Sequence, residues 1–342
     1  MAKILIIYTG GTIGMMENPE TGALQSFDFK HLASHVPEMQ YFRHHTDTLT
    51  MDPPIDSSDM EPHHWSRIAG LIEKNYALYD AFVVLHGTDT MAYTASALSF
   101  MLEGLAKPVI ITGSQIPIGQ LRTDGRENLL TSLEIAAAKD ANGHPMVPEV
   151  CVYFERQLMR GNRTTKINSE GFNAFRSYNF PPLATAGIHI HFEPQIIRQP
   201  QPHSELQVNT AMDTNVIMLP LFPGIQEDFV ERILTMPRLR CVILKTYGSG
   251  NAPQKSWLMR LLKAAIERGI IVVNTTQCPE GGVEMTRYET GLQLLQIGVL
   301  NGYDCTTEAM VTKMMHLLGK DLTTEQRRKL IASSLAGEIT IS

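Results

Sequence analysis

The stretch Lys3-Ile-Leu-Ile-Ile-Tyr8 runs straight into Thr9-Gly-Gly-Thr-Ile-Gly14. A short isoleucine-rich run cut by paired glycines reads as a buried strand, Ile4–Ile7, whose end can bend sharply. The apolar part is too short for the core of a secretory leader, and no small-residue cleavage site follows it. The chain is therefore expected to be cytoplasmic. The segment after the turn, Met15–Gly22, carries Asn-Pro and Thr-Gly turn signals and is expected to be a mobile loop.

The same grammar continues downstream. Ala81–Leu85, Val109–Ile111 and Val150–Phe154 read as strands. Between them, Trp65–Tyr76 places Trp65, Ile68, Ala69, Ile72 and Tyr76 at helical spacing, and Asn128–Ala138 reads as a further helix. Met91–Leu102 is apolar nearly all round, as a buried helix is. Strand, helix, strand in repetition predicts a mostly parallel sheet with helices on both faces. Residues 193–215, with Pro194, Pro200 and Pro202 among polar residues, read as a linker. The alternation then resumes. Val216–Leu219, Cys241–Leu244 and Ile270–Asn274 read as strands, and Glu227–Leu234 and Ser256–Glu267 as helices. Two helices are expected to close the chain, the last opening on the capping-box pattern Thr323-Thr-Glu-Gln326. The predicted layout is a two-domain α/β protein. A larger N-terminal domain spans 1–192, a linker 193–215, and a smaller C-terminal α/β domain 216–342.

Composition agrees with this. The 342 residues are 43% hydrophobic and 19% charged, which is ordinary for a globular chain and excludes disorder. At roughly 150 residues per domain the length suggests about two. The net charge of −6, with no basic run, argues against nucleic acid or an anionic membrane as partner. No apolar run reaches the roughly 18 residues that a membrane helix needs. Cys151, Cys241, Cys278 and Cys305 lie far apart with no CxxC, and three sit in or beside apolar runs, as reduced core thiols do. His44-His45, His63-His64, His189 and His191 lack Cys or carboxylate partners at metal spacing, so no metal is expected.

Open α/β sheets hold ligands beyond the carboxyl ends of their strands, so polar residues just after each strand are the candidates. Three places qualify. Thr9–Gly14 offers two hydroxyls on a glycine turn; its GGxxG spacing and the lack of a following helix fit a dinucleotide loop poorly. Thr12 there is a candidate nucleophile, given a base and oxyanion donors; the alternative is a tight turn whose threonines cap backbone. His86-Gly-Thr-Asp-Thr90 can grip an amino-acid head group or orient a base, or simply cap the next helix. Arg160-Gly-Asn-Arg-Thr-Thr-Lys166 offers a lysine base, or is a solvated basic loop. Asp56-Ser57-Ser58-Asp59 can line a site or form a polar turn.

Together these motifs resemble the L-asparaginase family of bacterial type, in its cytoplasmic, type I branch. The resemblance rests on Ile7–Gly14, Val84–Met91, Thr112-Gly-Ser-Gln-Ile-Pro117, Arg160–Lys166 and Tyr247-Gly-Ser-Gly-Asn-Ala-Pro253, in order over nearly the whole chain. It implies hydrolysis of L-asparagine to L-aspartate and ammonia, without a cofactor, by a homotetramer built as a dimer of dimers. It further implies Thr12 as nucleophile, with Thr88 as proton relay, Asp89 as orienting and amino-binding group, and Lys166 as base. Asp56, Ser57 and Ser58 would bind the substrate's head group, and Asn251 would reach across a subunit contact. Some members carry a regulatory asparagine site, which would fall on Thr165, Lys245 and Cys278; the family arginine is replaced here by Lys245. The loop tyrosine of many members is also missing, since residues 9–40 contain none. Asn142–Pro148 reads as a surface insertion. Three other readings compete. An ammonia-supplying amidotransferase subunit would carry an extra N-terminal domain. A dehydrogenase would need the dinucleotide spacing. An amino-acid sensor could dispense with Thr12 or Lys166.

Overall fold

In the computed structural model, which describes residues 1–17, 24–26, 36–200 and 205–341, the opening run forms strand β1 (Lys3–Tyr8). It pairs in parallel with β2 (His45–Thr50) on one side and β3 (Ala81–Leu85) on the other. β4 (Val109–Thr112) and β5 (Val150–Phe154) extend the sheet in parallel beyond β3. The sheet then turns antiparallel through β6 (Gln157–Arg160), β7 (Ala184–Ala186) and β8 (Ile190–Phe192). The order across it is β8-β7-β6-β5-β4-β3-β1-β2.

Alternation along the strands divides their side chains between two cores. Ile4, Ile6, Tyr8, Val83, Leu85, Ile110, Cys151 and Tyr153 pack with Leu129, Leu133 and Ala136 of α3 (Gly125–Ala137). Their neighbours Leu5, Ile7, Phe82, Val84, Val109, Ile111 and Val152 point the other way and are equally buried. On that side α2 (Met91–Met101) lies against β4 and β5, and α1 (Pro62–Asn75) packs on α2. Being covered on both flanks, α2 is apolar all round, as its sequence predicts.

The structure adds strands that the sequence hides. β2 reads His-Thr-Asp-Thr-Leu-Thr and is half exposed, as a sheet edge is. β5 and β6 are joined by Glu155 and Arg156, both at positive φ (44° and 65°), so the usual Asn-Gly or Asp-Gly hairpin signal is missing. Of the stretch expected as a linker, the described residues up to Thr210 belong to the first unit and Ala211–Asn215 to the second. Arg198 N–H donates to Glu149 (2.5 Å), and Gln207–Val208 pairs with Leu102–Glu103. Residues 201–204 lie outside the described residues. So do residues 18–22 of the expected loop, though Met15–Glu17 forms a strand with Leu24–Ser26 rather than a loop.

The chain divides into two units, Met1–Thr210 and Ala211–Ser342. The second is a parallel sheet in the order β9 (Val216–Pro220), β10 (Cys241–Thr246), β11 (Ile271–Thr276), β12 (Leu300–Asn301). α4 (Glu227–Leu234), α5 (Ser256–Glu267) and α6 (Glu289–Gln296) cover one face through Val230, Leu258, Leu262 and Leu294. α7 (Thr307–Gly319) and α8 (Thr324–Ile331) cover the other through Met310, Met314 and Ile331. α7 and α8 are the two helices expected to close the chain; the eight-residue α6, before β12, is one the sequence reading did not include. α8 opens on the expected capping box, Gln326 N–H to Thr323 Oγ1 and Thr323 N–H to Gln326 Oε1. A fully buried ion pair, Lys313–Glu338 at 2.6 Å, fastens the end of the chain. Lys313 also donates to the Ile331 and Ser333 carbonyls, and Glu338 accepts from the Leu335 and Ala336 N–H groups. A buried pair this fully hydrogen-bonded leaves no polar group stranded.

Candidate active site

Three turns meet at the carboxyl end of the first sheet. Gly10 and Gly11, after β1, have φ of 131° and 90°, in the region that only glycine enters freely. A Cβ at Gly11 would lie 2.4 Å from the Gly87 backbone, and one at Gly87 would lie 2.4 Å from Ser57 Oγ. The turns after β1 and β3 and the segment at Ser57 are therefore pressed together with no room for a side chain between them. Thr12, the first residue of the 3-10 turn Thr12–Gly14, is half-buried one residue from that contact. Ser57 is buried, and its carbonyl accepts from Thr90 Oγ1 at 2.7 Å. Asp56 and Ser58 are exposed. One carboxylate oxygen of Asp56 accepts from both the N–H (2.9 Å) and the hydroxyl (3.0 Å) of Ser58, closing the turn that presents Ser57.

The second group is assembled by the loop after β6. Lys166 Nζ lies 2.9 Å from Thr88 Oγ1 and 2.6 Å from Asp89 Oδ1. The lysine side chain is 19% exposed and the aspartate 62%. The stretch leading to Lys166 is not the solvated basic loop that composition allows. Arg160 is buried and forms a bidentate pair with Glu149, at 2.7 and 3.1 Å. Gly161, Asn162, Arg163 and Thr164 are buried too. Thr165–Lys166 then pairs with Phe175–Arg176, which fixes the direction of the Lys166 backbone. A lysine on a short strand anchored by a buried ion pair is positioned far better than one on a free loop.

Two residues of the quoted motifs gain a place that sequence reasoning did not give them. Gln115, half-buried, accepts from Thr88 Oγ1 at 3.1 Å. His86 is fully buried below the Thr88 turn. Its Nδ1 lies 2.6 Å from the Gly87 carbonyl, an acceptor only, so Nδ1 carries the proton. Its Nε2 then accepts from Thr94 Oγ1 (2.9 Å), which in turn accepts from Trp65 Nε1 (3.0 Å). The signal available was a histidine directly at a strand end, between apolar Leu85 and Gly87. Burial pushes the His86 imidazole down to about 4, against a small opposing effect of the Gly87 carbonyl. The unfolded chain, with an ordinary value near 6.5, binds the extra proton first as pH falls. His86 thus contributes stability above about pH 6.5 that is lost progressively toward pH 4, on the order of 3 kcal/mol. The expected imidazole NMR titration has its midpoint near pH 4; a midpoint near 6.5 would overturn the assignment.

Other sequence candidates fall elsewhere. Thr165, in the first unit, is half-buried on the Lys166 strand. In the second unit, Lys245 at the end of β10 donates to Thr307 Oγ1 at 2.7 Å. Burial lowers its amine from the ordinary lysine range, partly offset by Glu308, Cys305 and Cys278. Cys278 is exposed, whereas Cys151, Cys241 and Cys305 are buried thiols. Asn251 accepts from Thr290 Oγ1 at 2.8 Å within its own unit.

Fold and site together define an α/β protein with a threonine-lysine-aspartate cluster at the carboxyl edge of a parallel sheet. Residues 3–198 match the family model "Asparaginase, N-terminal", and residues 215–331 match "Glutaminase/Asparaginase C-terminal domain". The chain belongs to the asparaginase family. It is 47% identical to L-asparaginase 1 of Escherichia coli K12, over 99% of this chain and 98% of that one. It is 34% identical to an L-asparaginase of Thermococcus kodakarensis, over 99% of each chain. The crystal structure of L-asparaginase I from Vibrio cholerae superposes with a TM-score of 0.91 at 44% identity, covering 99% of each chain.

Proposed function

We propose that the chain is an amidohydrolase that converts L-asparagine and water to L-aspartate and ammonia. One observation carries the mechanism: the Lys166 amine touches both Thr88 Oγ1 and Asp89 Oδ1, on a turn whose backbone abuts the one bearing Thr12. An amide is a poor electrophile, so splitting the hydrolysis through an acyl-enzyme lowers each barrier.

In this reading Thr12 Oγ1 attacks the side-chain carbonyl carbon of asparagine. Its proton passes to Lys166 by way of Thr88, which requires the amine in its neutral form. Electrons move onto the carbonyl oxygen, and backbone N–H groups near Gly11 and Thr88 hold the oxyanion. The C–N bond then breaks, ammonia leaves with a proton returned through Thr88, and an ester to Thr12 remains. Water attacks the ester, Lys166 takes its proton, and aspartate departs as the Thr12 hydroxyl is restored. Asp89 keeps Lys166 in place and binds the α-amino group, together with Asp56. Ser57 and Ser58 bind the α-carboxylate. No cofactor takes part.

The reading includes a cytoplasmic homotetramer, a dimer of dimers with Asn251 at a subunit contact. Sedimentation would then give four times the 38.1 kDa chain mass. The division of the chain into a catalytic domain at 1–192, a linker and a second domain from 216 belongs to the same reading.

The decisive experiment is ammonia release from L-asparagine and L-glutamine over a wide concentration series. Release from asparagine is expected, and none from either amide would overturn the reading. The two amides differ by one methylene, which a pocket discriminates by only about 1–3 kcal/mol. The same series bears on regulation. A sigmoidal curve would support a second asparagine at Thr165, Lys245 and Cys278. A strictly hyperbolic curve, with one asparagine bound per subunit, would remove it.

A further inference from the structure

We propose that Gln115 is a positioning residue that holds the Thr88 hydroxyl within reach of Lys166 and ties it to the loop carrying Lys166. The proposal rests on the reading of Thr88 as proton relay. The geometry fixes the direction of every bond in the chain. Gln115 Nε2 lies 3.1 Å from the Gly171 carbonyl and 3.4 Å from the Ser169 carbonyl. Carbonyls only accept, so the amide nitrogen must face them and Oε1 must face Thr88. An amide oxygen also only accepts, so the Thr88 hydroxyl donates to it (3.1 Å). The hydroxyl's lone pairs are left toward Lys166 Nζ at 2.9 Å. In this resting arrangement Lys166 donates to Thr88; when the neutral amine takes the relayed proton, the Thr88 hydroxyl turns from Gln115 to Nζ, and Gln115 keeps Oγ1 in place for that exchange.

Its own backbone is held from the opposite direction. Asp124, at the start of α3, accepts from the Gln115 N–H (3.0 Å to Oδ2) and from the Ile116 N–H (3.1 Å to Oδ1). Asn128, one turn into α3, donates to Asp124 and to the Gly113 carbonyl. The far loop is braced as well: Asn168 Oδ1 accepts from the Glu170 and Gly171 N–H groups, and Asn168 Nδ2 donates to Asn173 Oδ1. One side chain thus bridges a helix-anchored turn, the relay hydroxyl and the segment 167–176 that follows the base. A glutamine can do this without competing for the proton, because an amide is not a base at ordinary pH.

Two replacements separate this role from bulk stability. Gln115→Met keeps the length but neither accepts from Thr88 nor donates to residues 169–171. It should lower kcat for asparagine about tenfold or more, with KM within about threefold and the loss constant across pH. Gln115→Glu keeps the acceptor for Thr88 but sets a carboxylate near Lys166. The added negative charge favours the ammonium form, so the acid limb of kcat/KM should move to higher pH, with activity recovering in alkaline buffer. Amide exchange read by mass spectrometry over 167–176 should rise in Gln115→Met without substrate. The inference is overturned if Gln115→Met stays within twofold of the native kcat, or if both variants lose only melting temperature or KM. Should the native protein release no ammonia, the asparagine reading falls by itself. Exchange at 167–176 then decides the positioning, and unchanged protection in Gln115→Met removes it.

Discussion

Replacing Lys166 with methionine is expected to lower kcat for asparagine about a thousandfold while the protein still folds. Methionine keeps an unbranched chain of similar reach, so the packing of the lysine stem is preserved. What disappears is the amine in contact with Thr88 and Asp89. A positioned general base contributes roughly 10²–10⁴-fold, and here the same group also holds Asp89. Thr12→Ala removes the proposed nucleophile and is expected to cost at least as much. In the proposed mechanism the two groups share one proton path, so their effects are not expected to add: the double variant is expected near the slower single one. Stability moves the other way in size. Asp89 is 62% exposed, so its pair with Lys166 is screened by solvent and is worth less than about 1 kcal/mol. Steady-state ammonia release and thermal melting, measured on all three variants, check both halves. A Lys166→Met enzyme retaining a tenth of native kcat would remove Lys166 as base.

How much of this was legible follows from which interactions are local. β1, β3, β4 and β5 announce themselves because a strand buried on both faces must be apolar throughout. Thr12, Thr88 and Lys166 stand just after strands or in glycine-rich turns, where backbone geometry limits the residue types. Nothing local marks the partners that come from afar. Gln115 meets Thr88 and Gly171 across separations of 27 and 56 residues. The anchoring of the Lys166 stretch depends on Glu149, whose distance from Arg160 in the fold the sequence does not encode locally. β2 escaped because an edge strand can be polar, and β6 because its turn is closed by Glu155 and Arg156 rather than by glycine. The additional helix α6 is short, and its few turns of periodicity are hard to separate from the loop around it. The pattern is physical: burial writes itself into residue type along one segment, while a side-chain network is written across several.

Gly11→Ala should be more damaging than its single methyl suggests. The residue sits at φ 90° and ψ 173°, where an alanine Cβ meets its own backbone. That strain alone costs on the order of 1–3 kcal/mol. The added Cβ would also lie 2.4 Å from both Cα and N of Gly87. These are main-chain atoms, so no flexible side chain can swing away, and overpacking adds roughly another 1–3 kcal/mol. Relief requires the two turns to part. Gly87 is itself closely packed, with Ser57 Oγ occupying the space where its own Cβ would be. Separation would carry Thr12 away from Thr88, and a misplacement of about 1 Å at a reacting group can cost a hundredfold in rate. The expected result is a fall of at least about a hundredfold in kcat together with a clear drop in unfolding free energy. Gly70→Ala is the matched control. Gly70 lies inside α1 with nothing within 4 Å of a Cβ, so alanine there should stabilise by about 0.5–1 kcal/mol through helix propensity and leave kcat unchanged. If Gly11→Ala instead behaves like Gly70→Ala in denaturant titration and turnover, the close backbone contact between the two turns does not position Thr12.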